Sequence, residues 1–369
     1  MHIIHTADWQ LGRSFARFTP EVRSALTDAR FDAIDAIGGI AREKRVDHVV
    51  VAGDVFDTTG PSDREIVQAV TRMSRATCTW WLMPGNHDHA RAGGLWDRVR
   101  ARMSPNVRIL DRPEAVEIAD GAWVLPAPLE FRHTREDPTE AMTEMATPPG
   151  AIRIGLAHGS IVDFEKKGDA KNLLPPNRAE ISGLDYLALG DWHGFQMIGG
   201  RTCYSGTPET DRFDREVGSI ALVDVACGSN PGVERIETGR FHWPEQTWRV
   251  DTAADFVAAR ARLEAGFDPV RTLLRLKLVG ALGIADRASV IAEAEGDLTD
   301  TLRWCEIDDR DLLGRPTADD LAAMSVEGTL GAAARLLQAD CDDGAPDAAI
   351  AARALERLYV ETIGAGDVA

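Results

Sequence analysis

A layered α/β fold is predicted for this chain, and three observations predict it. Short apolar runs alternate with amphipathic stretches of helical period over residues 1–250. Several of these runs end in polar clusters of Asp, His and Gly, where open α/β sheets place their ligands. Beyond Thr252 the pattern changes to a compact α-β-α-β order and then to a tail rich in Ala and Leu. Three segments are therefore expected, 1–250, 251–315 and 316–369.

Taken in order, the first strand is the run around Ile3 and Ile4, which ends in Asp8. Glu21 to Lys44 and Arg64 to Arg75 repeat apolar positions at helical spacing and read as helices packed on a core. Val46–Ala52 (VDHVVVA), Trp80–Met83, Ile152–Ala157 (IRIGLA) and Tyr186–Leu189 (YLAL) read as buried strands. They lead into GDVFD, PGNHD, HGS and GDWHG respectively. The Pro148-Pro149 and Pro175-Pro176 pairs mark loops. In the second segment a helix is expected near Ala254 to Glu264, a strand at Arg271–Val279, a helix from Asp286 to Leu302 and a strand at RWCEI. Thr317 to Ile363 reads as two helices joined by a turn, with Leu321, Met324, Leu330, Leu336, Leu337, Leu355 and Leu358 at helical spacing.

A hydrophobic share of 44% in 369 residues supports a sizeable core and argues against disorder. Five scattered cysteines without a CxxC pair exclude a disulfide framework and a zinc ribbon. The chain opens without a basic and apolar leader pattern and has no run long enough to span a bilayer, so a cytoplasmic location and no membrane contact are expected. A net charge of -18 excludes a protein that holds nucleic acid on a broad basic face, so a polyanionic substrate needs local help from metal ions or a partner. The basic stretches FEKKGDAK and RVRARM read as solvated faces.

The polar clusters together supply carboxylates, an amide and imidazoles: Asp8, Asp54, Asn86, His158, Asp191 and His193, with His87 and Asp57 beside them. That mixture of O and N donors suits Mn²⁺, Fe²⁺, Zn²⁺ or Mg²⁺. Two ions sharing a bridging carboxylate can polarise a phosphoryl group and activate water for in-line attack.

The order of the motifs HTADWQLGR, GDVFDT, MPGNHD, LAHGS, LGDWHG and YSGTPETDRFD resembles the calcineurin-like metallophosphoesterases, and more narrowly the SbcD and YhaO nucleases. The resemblance implies a four-layer α/β/β/α sandwich, a small α+β capping domain and C-terminal helices that bind a partner. It implies two divalent ions, with Mn²⁺ foremost. The first would be held by Asp8, Gln10, Asp54 and His193, and the second by Asp54, Asn86, His158 and Asp191. His87 would be the catalytic imidazole and Asp57 the group that orients it. DNA ends or hairpins would be the substrate and an SMC-like, SbcC-type ATPase subunit the partner, with room for a homodimer. Gln10 and Asp191 depart from the family pattern, which has His at both positions. A Gln carbonyl is a weaker, neutral donor and an Asp an anionic one, so the first site is expected to be looser and the second to favour harder ions. Two alternatives stay open: a phosphoesterase acting on small nucleotides, and a scaffold that binds DNA or the ATPase without cleaving.

Overall fold

The structure, a computed structural model, describes residues 1–161, 171–213, 216–315, 329–342, 347–348, 350–355 and 357–358. The chain divides into two compact units, Met1–Phe241 and His242–Ala369.

The first unit begins with β1 (His2–Thr6), α1 (Pro20–Lys44), β2 (His48–Ala52), α2 (Asp63–Ser74), β3 (Thr79–Met83), α3 (Leu95–Arg100) and β4 (Val107–Ile109). It continues through β5 (Val116–Ala119), β6 (Ala122–Ala127), β7 (Ile152–His158), β8 (Ser160–Ile161), β9 (Leu173–Leu174) and the short helix α4 (Arg178–Ile181). β10 (Tyr186–Gly190), β11 (Gln196–Ile198), β12 (Thr202–Tyr204), β13 (Ser219–Asp224) and β14 (Gly232–Glu237) complete it. Two six-stranded sheets result, ordered β14-β13-β1-β2-β3-β4 and β11-β12-β10-β7-β6-β5. β1 to β4 run parallel, as do β6, β7, β10 and β12.

Alternation along each strand decides what each face covers. Ile4, Val49, Val51, Trp80 and Leu82 pack under α1, α2 and α3, against Phe31, Ile37, Ile66, Met73 and Trp96. Their neighbours Ile3, Val50, Ala52, Trp81 and Met83 point the other way and meet Val124, Ile154, Leu156, Tyr186 and Ala188 of the second sheet. The two sheets therefore bury one common core between them. The far face of the second sheet carries Leu125, Leu187, Leu189 and Tyr204 and is covered by Met142, Met145, Ala179 and Leu184, from short helical turns and loops rather than long helices. α1 and α2 start where their caps dictate: Thr19 precedes Pro20, and Ser62 forms a capping box with Glu65.

The second unit holds β15 (Glu245–Arg249), α5 (Ala253–Gly266), β16 (Leu273–Gly283), α6 (Ile284–Glu293) and β17 (Trp304–Arg315). Its three strands form one parallel sheet over Trp248, Phe256, Leu276, Leu278 and Val290. β17 runs 12 residues, well past RWCEI. In the tail Thr329–Asp342 is helical. Leu337, Leu355 and Leu358 pack with Ala334, whereas Leu330 and Leu336 are exposed. Leu321 and Met324 lie outside the described residues, as does most of FEKKGDAK. The arginines of RVRARM are paired: Arg98 and Arg102 with Asp63, Arg100 with Asp97 and Asp111, which fits the solvated-face reading. Among the described residues, no helix is long and apolar enough to cross a membrane.

Candidate metal centre

β1, β2, β3, β7 and β10 deliver their C-terminal ends to one place. The loops after β1 and β2 are laced together by main-chain bonds from Asp8 N to Gly53 O (3.1 Å), Gln10 N to Asp54 O (2.9 Å) and Leu11 N to Val55 O (2.9 Å). The buried Asp88 carboxylate ties the loops after β2 and β3 together by accepting from Gly85 N at 2.7 Å and Phe56 N at 3.1 Å. Close approach excludes side chains here: a Cβ on Gly85 would lie 2.2 Å from Asp54 Oδ1, and one on Gly53 would lie 2.4 Å from His158 Nδ1. Asp8, Gln10, Asp54 and Asp191 all have φ between 44° and 96°. A left-handed backbone is costly for such residues, and concentrating it at one set of loops is the habit of functional sites.

The side chains converge as the backbone directs. Single ligand atoms of Asp8, Asp54 and His158 all lie within 4.8 Å of one another. His158 Nδ1 donates to Ala52 O at 2.8 Å, which fixes the tautomer and leaves Nε2 facing Asp54 Oδ1 at 3.5 Å and Asp191 Oδ1 at 3.8 Å. Asn86 Nδ2 donates to Asp191 Oδ1 at 3.3 Å, and Ser160 Oγ donates to Asp191 Oδ2 at 2.6 Å. His193 Nδ1 sits 2.8 Å from Asp211 Oδ2, and its Nε2 is 3.8 Å from Asp8 Oδ1.

These residues fit a divalent cation. His158 Nε2 and Asn86 Oδ1 are buried and have no hydrogen-bond partner, and they face a group of buried carboxylates. Buried polar atoms left in that state carry a desolvation cost that a bound cation relieves. The electrostatics agree. Burial drives the Asp8 carboxyl above its usual range. Burial alone would lower His158, but Asp54, Asp8 and Asp191 outweigh it and raise its pKa to about 9.

His87 stands at the rim, its main-chain N–H on Asp54 Oδ1 at 2.9 Å. Its Nδ1 bonds the main-chain carbonyl of Asp57 at 2.8 Å, while the Asp57 carboxylate is 3.9 Å away. Asp57 therefore orients the ring through its backbone, not through the carboxylate. Gln10 also reaches the site, but its carbonyl accepts from Arg13 Nη1 and its Nε2 lies 3.2 Å from His193 Nε2. Sequence reasoning missed Asp211, which accepts from Arg13 Nη1 at 2.7 Å and pairs with the buried Arg30 at 3.4 Å. Its pKa is held far below the usual carboxylate range, because His193, Arg30 and Arg13 overcome the opposing effect of burial. The signal lay in YSGTPETDRFD, without any spacing to single Asp211 out. Above these groups opens a cavity of about 550 Å³, whose wall includes Arg13, Arg212, His87 and Trp192.

The fold and this centre define a class: the chain belongs to the calcineurin-like phosphoesterase family, whose model matches residues 1–223. It is 34% identical over 282 residues to the SbcD subunit of the nuclease SbcCD from Bacillus subtilis, covering 62% of this chain and 67% of that protein. The corresponding protein of Rhodobacter capsulatus is 35% identical over 286 residues (63% and 68% covered), and that of Escherichia coli K12 is 26% identical over 280 residues (64% and 67%). With the family comes the activity, that of a metal-dependent phosphodiesterase of the nuclease kind.

Proposed function

We propose that the chain is a DNA exonuclease or endonuclease of the SbcD type, which cuts DNA ends or hairpins in double-strand-break repair beside an SMC-like ATPase subunit. The observation that carries this reading is the meeting of Asp8, Asp54 and His158 within 4.8 Å beneath a cavity lined by both acidic and basic side chains. Asp8, Asp54, Asn86, His158, Asp191 and His193 would hold the metal, and a carboxylate-rich set with two imidazoles suits Mn²⁺. A bound divalent ion supplies Lewis-acid polarisation of a phosphoryl oxygen and a lowered pKa for water.

The chain's own residues do the rest. With Nδ1 of His87 fixed on Asp57 O, Nε2 is the nitrogen that holds or delivers a proton at the leaving oxygen. Arg13 and Arg212 give an acidic protein the local positive charge that a phosphodiester needs. Trp192 adds an aromatic wall on which a base can stack. The relatives named above are each one part of a two-part nuclease, and the exposed Leu330 and Leu336 supply a docking face for such a partner. The test is incubation with Mn²⁺ and a labelled DNA hairpin or blunt duplex, beside an aryl phosphodiester. DNA products are expected. Turnover of the small diester alone would move the substrate to small phosphoesters, and no turnover with any common divalent ion would make the protein a non-cleaving scaffold.

A further inference from the structure

The two ends of the centre differ in a way that bears on how many ions it holds. At one end are the converging Asp8, Asp54 and His158, the uncapped oxygen of Asn86, and Asp191. At the other end the groups that would take an ion are already committed. Gln10 Oε1 accepts from Arg13, and turning the amide over would set its NH₂ against the guanidinium, donor to donor. So it is NH₂ that faces His193 Nε2 at 3.2 Å, on the side where that ring would offer its lone pair to a metal. Asp211, bonded to His193 Nδ1, is shared by two guanidiniums, those of Arg13 and Arg30. One negative charge thus meets two positive ones, leaving a fixed surplus beside Gln10. The neighbouring Glu209 does little to offset it: burial pushes its pKa to about 7, and its oxygens are taken by the main-chain N–H groups of Arg240 and Phe241.

We infer that the centre is mononuclear: one divalent ion binds at the Asp54, Asn86, His158 and Asp191 end, and the guanidinium of Arg13, clamped by Gln10 and Asp211, takes the place of the second. The charges support this. Asp8, Asp54 and Asp191 carry three negative charges, matched by one divalent ion and one surplus guanidinium, whereas two ions would set five positive charges against three. The departures at Gln10 and Asp191 then belong together, since the amide that cannot ligate the first ion serves Arg13 and the extra carboxylate strengthens the remaining site. Arg13 lines the cavity and faces the position of a substrate phosphate, where its planar N–H fork can bind two oxygens.

This inference rests on the metal-dependent reading of the same site, and Mn²⁺ stoichiometry separates the two. Chelator-treated protein is titrated with Mn²⁺ by calorimetry, and the bound ion is examined by electron paramagnetic resonance. The wild type should take one ion per chain with an uncoupled spectrum, any second ion binding roughly a hundredfold more weakly or worse because of the adjacent positive charge. The Gln10→His/Arg13→Met variant should take two ions with an exchange-coupled spectrum. Two ions of comparable affinity in the wild type would overturn the inference and leave the metal centre standing. So would a folded double variant that still holds one ion. No bound ion in the wild type would overturn both readings. The wild-type measurement decides even if the variant fails to fold.

Discussion

Replacing Asp211 with alanine should destabilise the first unit severely, and the structure sets the size of the effect. The Asp211 carboxylate is fully buried and receives Arg13 Nη1 at 2.7 Å, His193 Nδ1 at 2.8 Å and Arg30 Nη2 at 3.4 Å. Arg13 is partly exposed and can turn to water when its partner goes. Arg30 cannot: its side chain is 2% exposed, and its other strong contact is Trp9 O, accepting from Nη1 at 2.6 Å. Removing one member of a buried ion pair costs about 3–5 kcal/mol, because the remaining charge is left in a medium that solvates it poorly. For a unit of this size that corresponds to a fall in melting temperature of about 6–20 °C. Differential scanning calorimetry of the apoprotein measures it. Arg30→Met in the Asp211→Ala background should recover part of the loss, since it removes the orphaned charge and keeps an apolar stem. A fall of less than about 3 °C, or no recovery in the double variant, would mean that Arg30 reaches water after all.

Asp54→Ala should abolish Mn²⁺ binding and phosphodiester hydrolysis together, as measured by calorimetric titration and turnover; an ion bound at unchanged affinity would remove Asp54 from the centre. His87→Ala should keep the metal and lose roughly two to four orders of magnitude in turnover, the usual range for a positioned acid or base. Asp57→Ala, which preserves the main-chain carbonyl bonded to His87 Nδ1, should cost less than roughly tenfold. Stability of the metal-free protein should fall as pH rises from about 5 to about 9. Asp8, Asp88 and Glu209 titrate above their usual range because they are buried, so folding favours their protonated forms and loses that preference as pH climbs. His158, raised to about 9, contributes stability below its ordinary pKa that is lost as pH rises through about 9. Mn²⁺ needs the same ligands deprotonated, so its stabilising effect should grow over the same interval. Melting curves with and without metal test this, and a metal-free melting temperature that rises with pH would contradict it.

The strands that carry the centre were legible because a parallel strand buried on both faces reads as a continuous apolar run, as in His48–Ala52 and Tyr186–Gly190. Their polar ends could then be read as ligand clusters. Edge strands were harder. Gly232–Glu237 (GVERIE) is half exposed and carries three charged residues, so its pattern is that of a loop. β17 continues through DDRDLLGR, whose acidic residues mask a strand extended by its pairing with β16. At the centre, residue types and order indicated which side chains meet, but not which atoms. That Asp57 acts through its carbonyl, that Gln10 serves Arg13, and that Asp211 supports His193 all depend on loop geometry with no linear spacing.

Metal-dependent phosphodiester cleavage at the Asp54 site is tested most directly by the turnover of chelator-treated protein on labelled duplex or hairpin DNA before and after Mn²⁺ is restored, in the wild type and in Asp54→Ala. No cleavage is expected without metal, with recovery in the wild type on adding Mn²⁺ and none in the variant. Cleavage that survives the chelator, or equal recovery in Asp54→Ala, would show that the reaction does not depend on a metal held there.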